Sequence, residues 1–280
     1  MLFMKKRILL LPFIALVLFT GIRKVTPNEH HNRIILSIVI SYGIPHLQPE
    51  QEIDILKRNK IKSMSLVERN MKNHNLDSLT FLEYDKEGRI IKRTTKECTT
   101  FGCLPYMNRE VFSYKGNKII KMKDYLFRYK EYSTYAKWTL KDTSRLNMFD
   151  WEDYSYKKET IRVESGSTVW KYIKGGNGNI VKQVCRAKSN NQLLIINYNY
   201  NDSIITASIL TKFNNHTSSA PYIIKYIADG NQVLIKTKNG KGENLNSKWV
   251  FNSTDLPVER ITYKNGKIYE KTKISYAYYK

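Results

Sequence analysis

The stretch Phe81–Thr95, FLEYDKEGRIIKRTT, reads as strand, tight turn, strand, and units of its kind return until the end of the chain. Copies of such a unit cannot bury their faces alone, so neighbouring hairpins must pair or stack. Asp85-Lys86-Glu87-Gly88 puts Asp first and Gly fourth, the pattern of a type I turn closed by a glycine at positive φ. A three-residue loop of that kind sets Tyr84 opposite Ile90. An aromatic facing a β-branched residue contributes roughly 0.2–1 kcal/mol. The same logic gives a loop at Gly116-Asn117 with Tyr114 opposite Ile119. It also gives Asn265-Gly266 with Tyr263 opposite Ile268, and Asp229-Gly230 with Tyr226 opposite Val233. The spacing is irregular. It predicts an all-β antiparallel meander of repeated hairpins, forming a large curled sheet or open half-barrel with one short N-terminal helix.

The motif aromatic-Tyr-Asp-x-x-Gly-Arg-Ile in FLEYDKEGRI resembles the YD repeat of bacterial Rhs proteins and teneurins, and more closely the small secreted YD-like proteins of Bacteroidetes. ITYKNGKI and FSYKGNKI are degenerate copies that lack the Asp. The resemblance covers about residues 50–280 as a pattern. It implies a β-hairpin sheet outside the cytoplasm, in a family whose activity is mostly unassigned.

Residues 1–22 carry Lys5, Lys6 and Arg7 before an apolar run, as a secretory signal requires. Arg23-Lys24 follows without an Ala-x-Ala-like site, so an uncleaved membrane anchor is the alternative. The expected address is periplasmic, secreted or cell-envelope associated. Residues 23–48 read as a linker, holding His30 and His31, and an N-terminal strand over Ile34 to Ile40. Residues 49–280 form the repeat domain. It opens on a short helix in PEQEIDILKRN, with proline first, acids early and Lys57-Arg58 late. KIKSMSLVER alternates as a strand, and Lys141 to Asp150 reads as a loop or short helix between repeats.

Forty-seven Lys and Arg against 25 Asp and Glu give a formal charge of +22. That excess suggests an acidic partner, among them an envelope polyanion, a lipid or a protein. The rival reading is dispersed lysine protecting sheet edges and outer faces. Nucleic acid ranks last because of the N-terminal segment. Three cysteines cannot all pair; Cys98 and Cys103, which flank TTFG in a loop, are the candidate disulfide and Cys185 is left over.

Catalytic patterns are scarce. No His-Glu-x-x-His, Gly-x-Ser-x-Gly elbow or Gly-Lys-Ser/Thr phosphate loop occurs, and the residues call for no metal or cofactor. Asp150, Glu152 and Asp153, beside Trp151, could in principle serve an envelope polysaccharide hydrolase. Neighbours on a strand point to opposite faces, however, so Glu152 and Asp153 cannot line one cleft. The reading that follows is a non-catalytic binding or structural module of the cell envelope. A lipid- or lipoprotein-handling half-barrel is its alternative.

Overall fold

The computed structural model describes residues 27–43, 47–48, 50–71, 76–99, 102–103, 106–129, 143–176, 178–190, 192–201, 203–213, 216–217, 222–239 and 242–280. Two helices, α1 (Pro27–Gly43) and α2 (Glu50–Arg58), precede the strands. The first eight long strands are β1 (Ile61–Asn70), β2 (Leu76–Tyr84), β3 (Ile90–Thr99), β4 (Tyr106–Lys115), β5 (Lys118–Tyr129), β6 (Thr143–Lys157), β7 (Thr160–Glu164) and β8 (Thr168–Lys174). The others are β9 (Ile180–Ala187), β10 (Leu193–Asn201), β11 (Ile204–Phe213), β12 (Tyr222–Asp229), β13 (Gln232–Asn239), β14 (Gly242–Phe251), β15 (Pro257–Lys264) and β16 (Lys267–Tyr278). Two-residue strands at Gly102–Cys103 and His216–Thr217 lie in connecting loops.

Each long strand runs antiparallel to the one before it, and β1 pairs with β2 on one flank and β16 on the other. The circuit is therefore a closed barrel, where an open half-barrel or curled sheet was expected. Closure removes both edges, the exposed rows of N–H and C=O that an open meander must protect. The turns after β2, β4, β6, β8, β10, β12 and β14 all fall at one end of the barrel, here called the near end. The start of β1 and the end of β16 lie there too. Residues 143–150, expected as a loop or short helix, belong to β6.

The expected strand over residues 34–40 is instead the middle of α1, so two helices precede the barrel where one was expected. Ile35, Leu36, Ile38, Val39 and Ile40 are each 4% exposed or less. At 100° per residue they cover far more than one stripe of the helix, so α1 is enclosed rather than docked on a surface. They share a core with Ile61, Tyr84, Ile119, Ile161, Ile205, Val233 and Phe251, drawn from strands all round the circuit. The helix thus stoppers the near end. Its N-terminal part is held there: Asn32 donates to Ser203 Oγ at 3.0 Å, and His31 Nδ1 lies 2.8 Å from Asp255 Oδ1. Both partners sit in near-end turns. A closed circuit offers no free edge to a further strand, and a helix satisfies its backbone internally. That explains why a β-branched run folds as helix.

Helix α2 closes the rest of the mouth. Ile53, Ile55 and Leu56 face inward, and Arg58 reaches Asp255 Oδ2 at 3.0 Å. Gln48, between the helices, completes a missing strand pairing: its Nε2 donates to the Gly88 carbonyl at 3.0 Å and its Oε1 accepts from Ile90 N at 2.9 Å. The Asp85–Gly88 turn beneath is fully bonded. Gly88 N donates to the Asp85 carbonyl, and Asp85 Oδ1 accepts from the Glu87 and Arg89 amides. Arg89 also donates to the Gly116 carbonyl at 2.7 Å, tying this turn to the next.

Register separates the expected pairs. Tyr84 stands opposite Ile90, and Tyr114 opposite Ile119, with Gly116-Asn117 as the loop. Tyr226 stands opposite Ile235 and not Val233, which faces Ala228; the loop is Gly230-Asn231 and not Asp229-Gly230. Asn265 and Gly266 both have positive φ and do set Tyr263 opposite Ile268. That hairpin lies at the far end, though, and Ile268 is exposed, so the pair packs no core.

Charged side chains stand on both faces of the wall. Inward, Arg260 bridges Glu68 and Glu270, and Arg93 meets Glu110 at 3.0 Å. Outward, Lys225 stands directly opposite Lys236 and pairs with Glu243 at 3.1 Å, and Lys271 stands opposite Arg69 toward the far end. These cations interrupt the unbroken apolar band that a membrane-spanning barrel presents. Among the described residues no helix is long and apolar enough to cross a membrane.

Candidate functional site

A cavity of about 260 Å³ lies at the near end, between the helices and the turns after β4, β6 and β8. Part of its wall is apolar, with Ile40 from α1, Leu47 from the helix connection and Ile119, Ile161 and Ile180 from the strands. Each strand residue is inward for the same reason, being the first inward position after a near-end turn. Lys118, Lys158 and Lys174 stand at the turn side, and Glu50 and Gln51 at the helix side.

Three tyrosines complete the wall with their hydroxyls already committed. Tyr114 donates to the Ile90 carbonyl at 2.9 Å, Tyr156 to Ile119 at 3.0 Å and Tyr200 to Ile180 at 2.6 Å. Each ring is thereby tied to a neighbouring strand, and the Arg89 guanidinium lies over that of Tyr114, 5.2 Å from its centroid. Lys118 Nζ sits 5.1 Å from the centroid of the Tyr156 ring. With Ser37, Gln48, Asn117 and Asn179 also in the lining, the arrangement can hold an apolar body and balance a negative head.

Burial keeps these phenols protonated. It pushes Tyr156 and Tyr226 up to about 12, and raises Tyr114, Tyr154, Tyr172, Tyr198, Tyr200 and Tyr276 further. The folded state then holds more protons than the unfolded one above pH about 10, the usual tyrosine value. Stability is expected to be intact below that pH and to fall as pH rises through about 12. Denaturant midpoints across this window, read beside tyrosinate absorbance, check it; ionisation of these phenols before unfolding would contradict it.

The acidic group does not form a cleft. Glu152 is inward and buried, accepting from Tyr154 Oη at 2.9 Å, whereas Asp153 is outward and 3.4 Å from Lys121. The Asp150 side chain lies outside the described residues. Among the described residues no group of three or more His, Cys, Asp or Glu is placed to hold a metal.

Cys98 and Cys103 are direct backbone partners across a two-residue ladder; their side chains lie outside the described residues. Cys185 is a free, half-buried thiol on the inner wall, opposite Trp170 and Leu194, and burial raises its pKa. Because the thiolate is the reactive form, Cys185 is expected to alkylate slowly at neutral pH. Protein made in an oxidising compartment should keep the other two cysteines unlabelled until reduced. Three freely labelled thiols in native protein would refute the pair.

The helix half of the cavity had no signal in the sequence beyond the apolar run itself, because its residues meet the strands only once the barrel closes. The strand half was visible in part: Tyr114 and Ile119 line it, as do Gly116's loop neighbours Asn117 and Lys118.

No family model and no curated protein matches the sequence. Among solved structures, a porin-like protein from Bacteroides uniformis ATCC 8492 is similar at 10% identity and a TM-score of 0.33, over 78% of this chain and 97% of that one. TcdB2-TccC3-Cdc42 is similar at 11% identity and a TM-score of 0.24, over 71% of this chain and 14% of that one.

Proposed function

We propose that the protein is a non-catalytic extracytoplasmic barrel of the cell envelope whose stoppered end binds a small amphiphilic anion. The cavity carries this reading: Ile40, Leu47, Ile119, Ile161 and Ile180 would receive an alkyl body, and Lys118, Lys158 and Lys174 stand where a charged head would emerge. A lipid-like ligand was the alternative suggested by the sequence, and the cavity at the mouth supports it. The envelope address rests on the basic and apolar pattern of residues 1–22 and on the YD-like hairpin around Asp85 and Gly88.

The test is titration of the full chain with a fluorescent fatty-acyl probe. Saturable binding is expected. Ser37→Trp, which fills the cavity from the α1 side, should abolish it while leaving the thermal midpoint near that of the parent. Lys174→Glu should weaken it about tenfold, the size of one lost charge-assisted contact of about 1.5 kcal/mol. Parent protein that binds no probe, or a Ser37→Trp variant that binds as well, would remove the reading.

A further inference from the structure

We infer that the near-end rim over β3–β7 is a docking surface for an anionic lipid bilayer, from which the cavity takes its occupant. The inference rests on the cavity reading for the identity of that occupant, but not for the docking itself.

The rim collects two kinds of side chain that belong together at a membrane interface. Lys115 and Lys118 stand directly opposite each other across the turn after β4. Lys157 and Lys158 occupy the next near-end turn, where Lys158 adopts a positive φ of 48°. All four are exposed, and Glu159 is their acidic neighbour on these turns. Like charges directly opposite each other in a ladder destabilise it, so this edge gains from an external anion. Beside the lysines, Ile91 and Ile120 point outward, 37% and 42% exposed. Each follows an inward isoleucine that packs the core, so the outward position is free of any core role. Apolar side chains ringed by lysine are what binds an interface of acyl chains and anionic heads. A soluble polymer would use the lysines alone. The cavity lies between these same turns and the helices, so a docked barrel would turn its opening toward the bilayer.

Co-sedimentation of the full chain with vesicles tests this. Phosphatidylcholine containing phosphatidylglycerol should bind it, and pure phosphatidylcholine should not. Lys115→Glu with Lys157→Glu, neither of which lines the cavity, should lower vesicle affinity at least about tenfold, at about 1 kcal/mol per basic residue near the surface. Ile91→Ser with Ile120→Ser should lower it severalfold and leave binding to dextran sulfate unchanged. Lys271→Glu with Lys273→Glu, on the wall away from the rim, should have little effect. Equal losses from rim and wall variants would show nonspecific charge attraction and overturn the proposal. So would vesicle binding indifferent to the isoleucines, which would point to a soluble polyanion. Ser37→Trp separates the two readings: it should abolish probe binding and leave docking intact, so either can fail alone.

Discussion

Gly88→Ala is expected to destabilise the protein by about 3 kcal/mol and to abolish acyl-probe binding. Two causes add at this position. Gly88 has a φ of +79°, where an L side chain costs roughly 1–2 kcal/mol. A Cβ there would also overlap the Ile53 carbonyl oxygen and lie 2.9 Å from the Lys57 nitrogen. Those atoms are helix backbone and cannot swing aside, so α2 must lift from the mouth and take Ile53 and Gln48 from the cavity. Gly116→Ala is the control. Its φ is +59° with open space around the added carbon, so it should cost about 1 kcal/mol and leave the cavity untouched. Guanidinium midpoints for both variants decide the matter. Equal costs would mean that α2 does not press on this turn in solution.

Leu36→Asp should release α1 while the strands stay folded. Leu36 is 1% exposed within the core, and an unpaired carboxylate there would cost about 4 kcal/mol. The enclosing wall is held by its own ladder on every side, whereas α1 is held by side-chain packing and a few polar contacts, among them those of His31 and Asn32. The helix is therefore the part that yields. Limited proteolysis should cut the variant rapidly between residues 27 and 60 and spare the barrel, and probe binding should vanish. Unchanged protection of that segment would sink the enclosed-helix description.

Local pattern carried far in some hairpins and less far in others. Asp85 and Gly88 leave one workable turn, so Tyr84 and Ile90 could be matched from the chain alone. At Asp229-Gly230-Asn231 two overlapping dipeptides can each supply a turn, and the structure uses the later one. The inward set is the same either way, because the loop shift moves partners by two and side chains alternate with period two. The small Ala228 then lies at the near end, where α1 packs on β12 and β13. At Asn265-Gly266 the turn was read with the right residues, yet it faces the far end, where Tyr263 and Ile268 have no helix to pack on.

Strand identity, turn chemistry and the alternation of inward and outward residues were thus written into the chain, since each depends on neighbours a few positions away. Closure was not. It is a pairing of β1 with β16, segments about two hundred residues apart, and no local propensity distinguishes those strands from the edges of an open sheet. The fate of residues 34–40 follows from it. Their β-branched composition favours a strand, but a sealed circuit has no edge to offer, and a helix seated in the mouth buries the same isoleucines while bonding its interior backbone to itself. The cavity exists only because these two non-local events meet, with seven of its lining residues from the helices and their connection and twelve from the strands and turns around them.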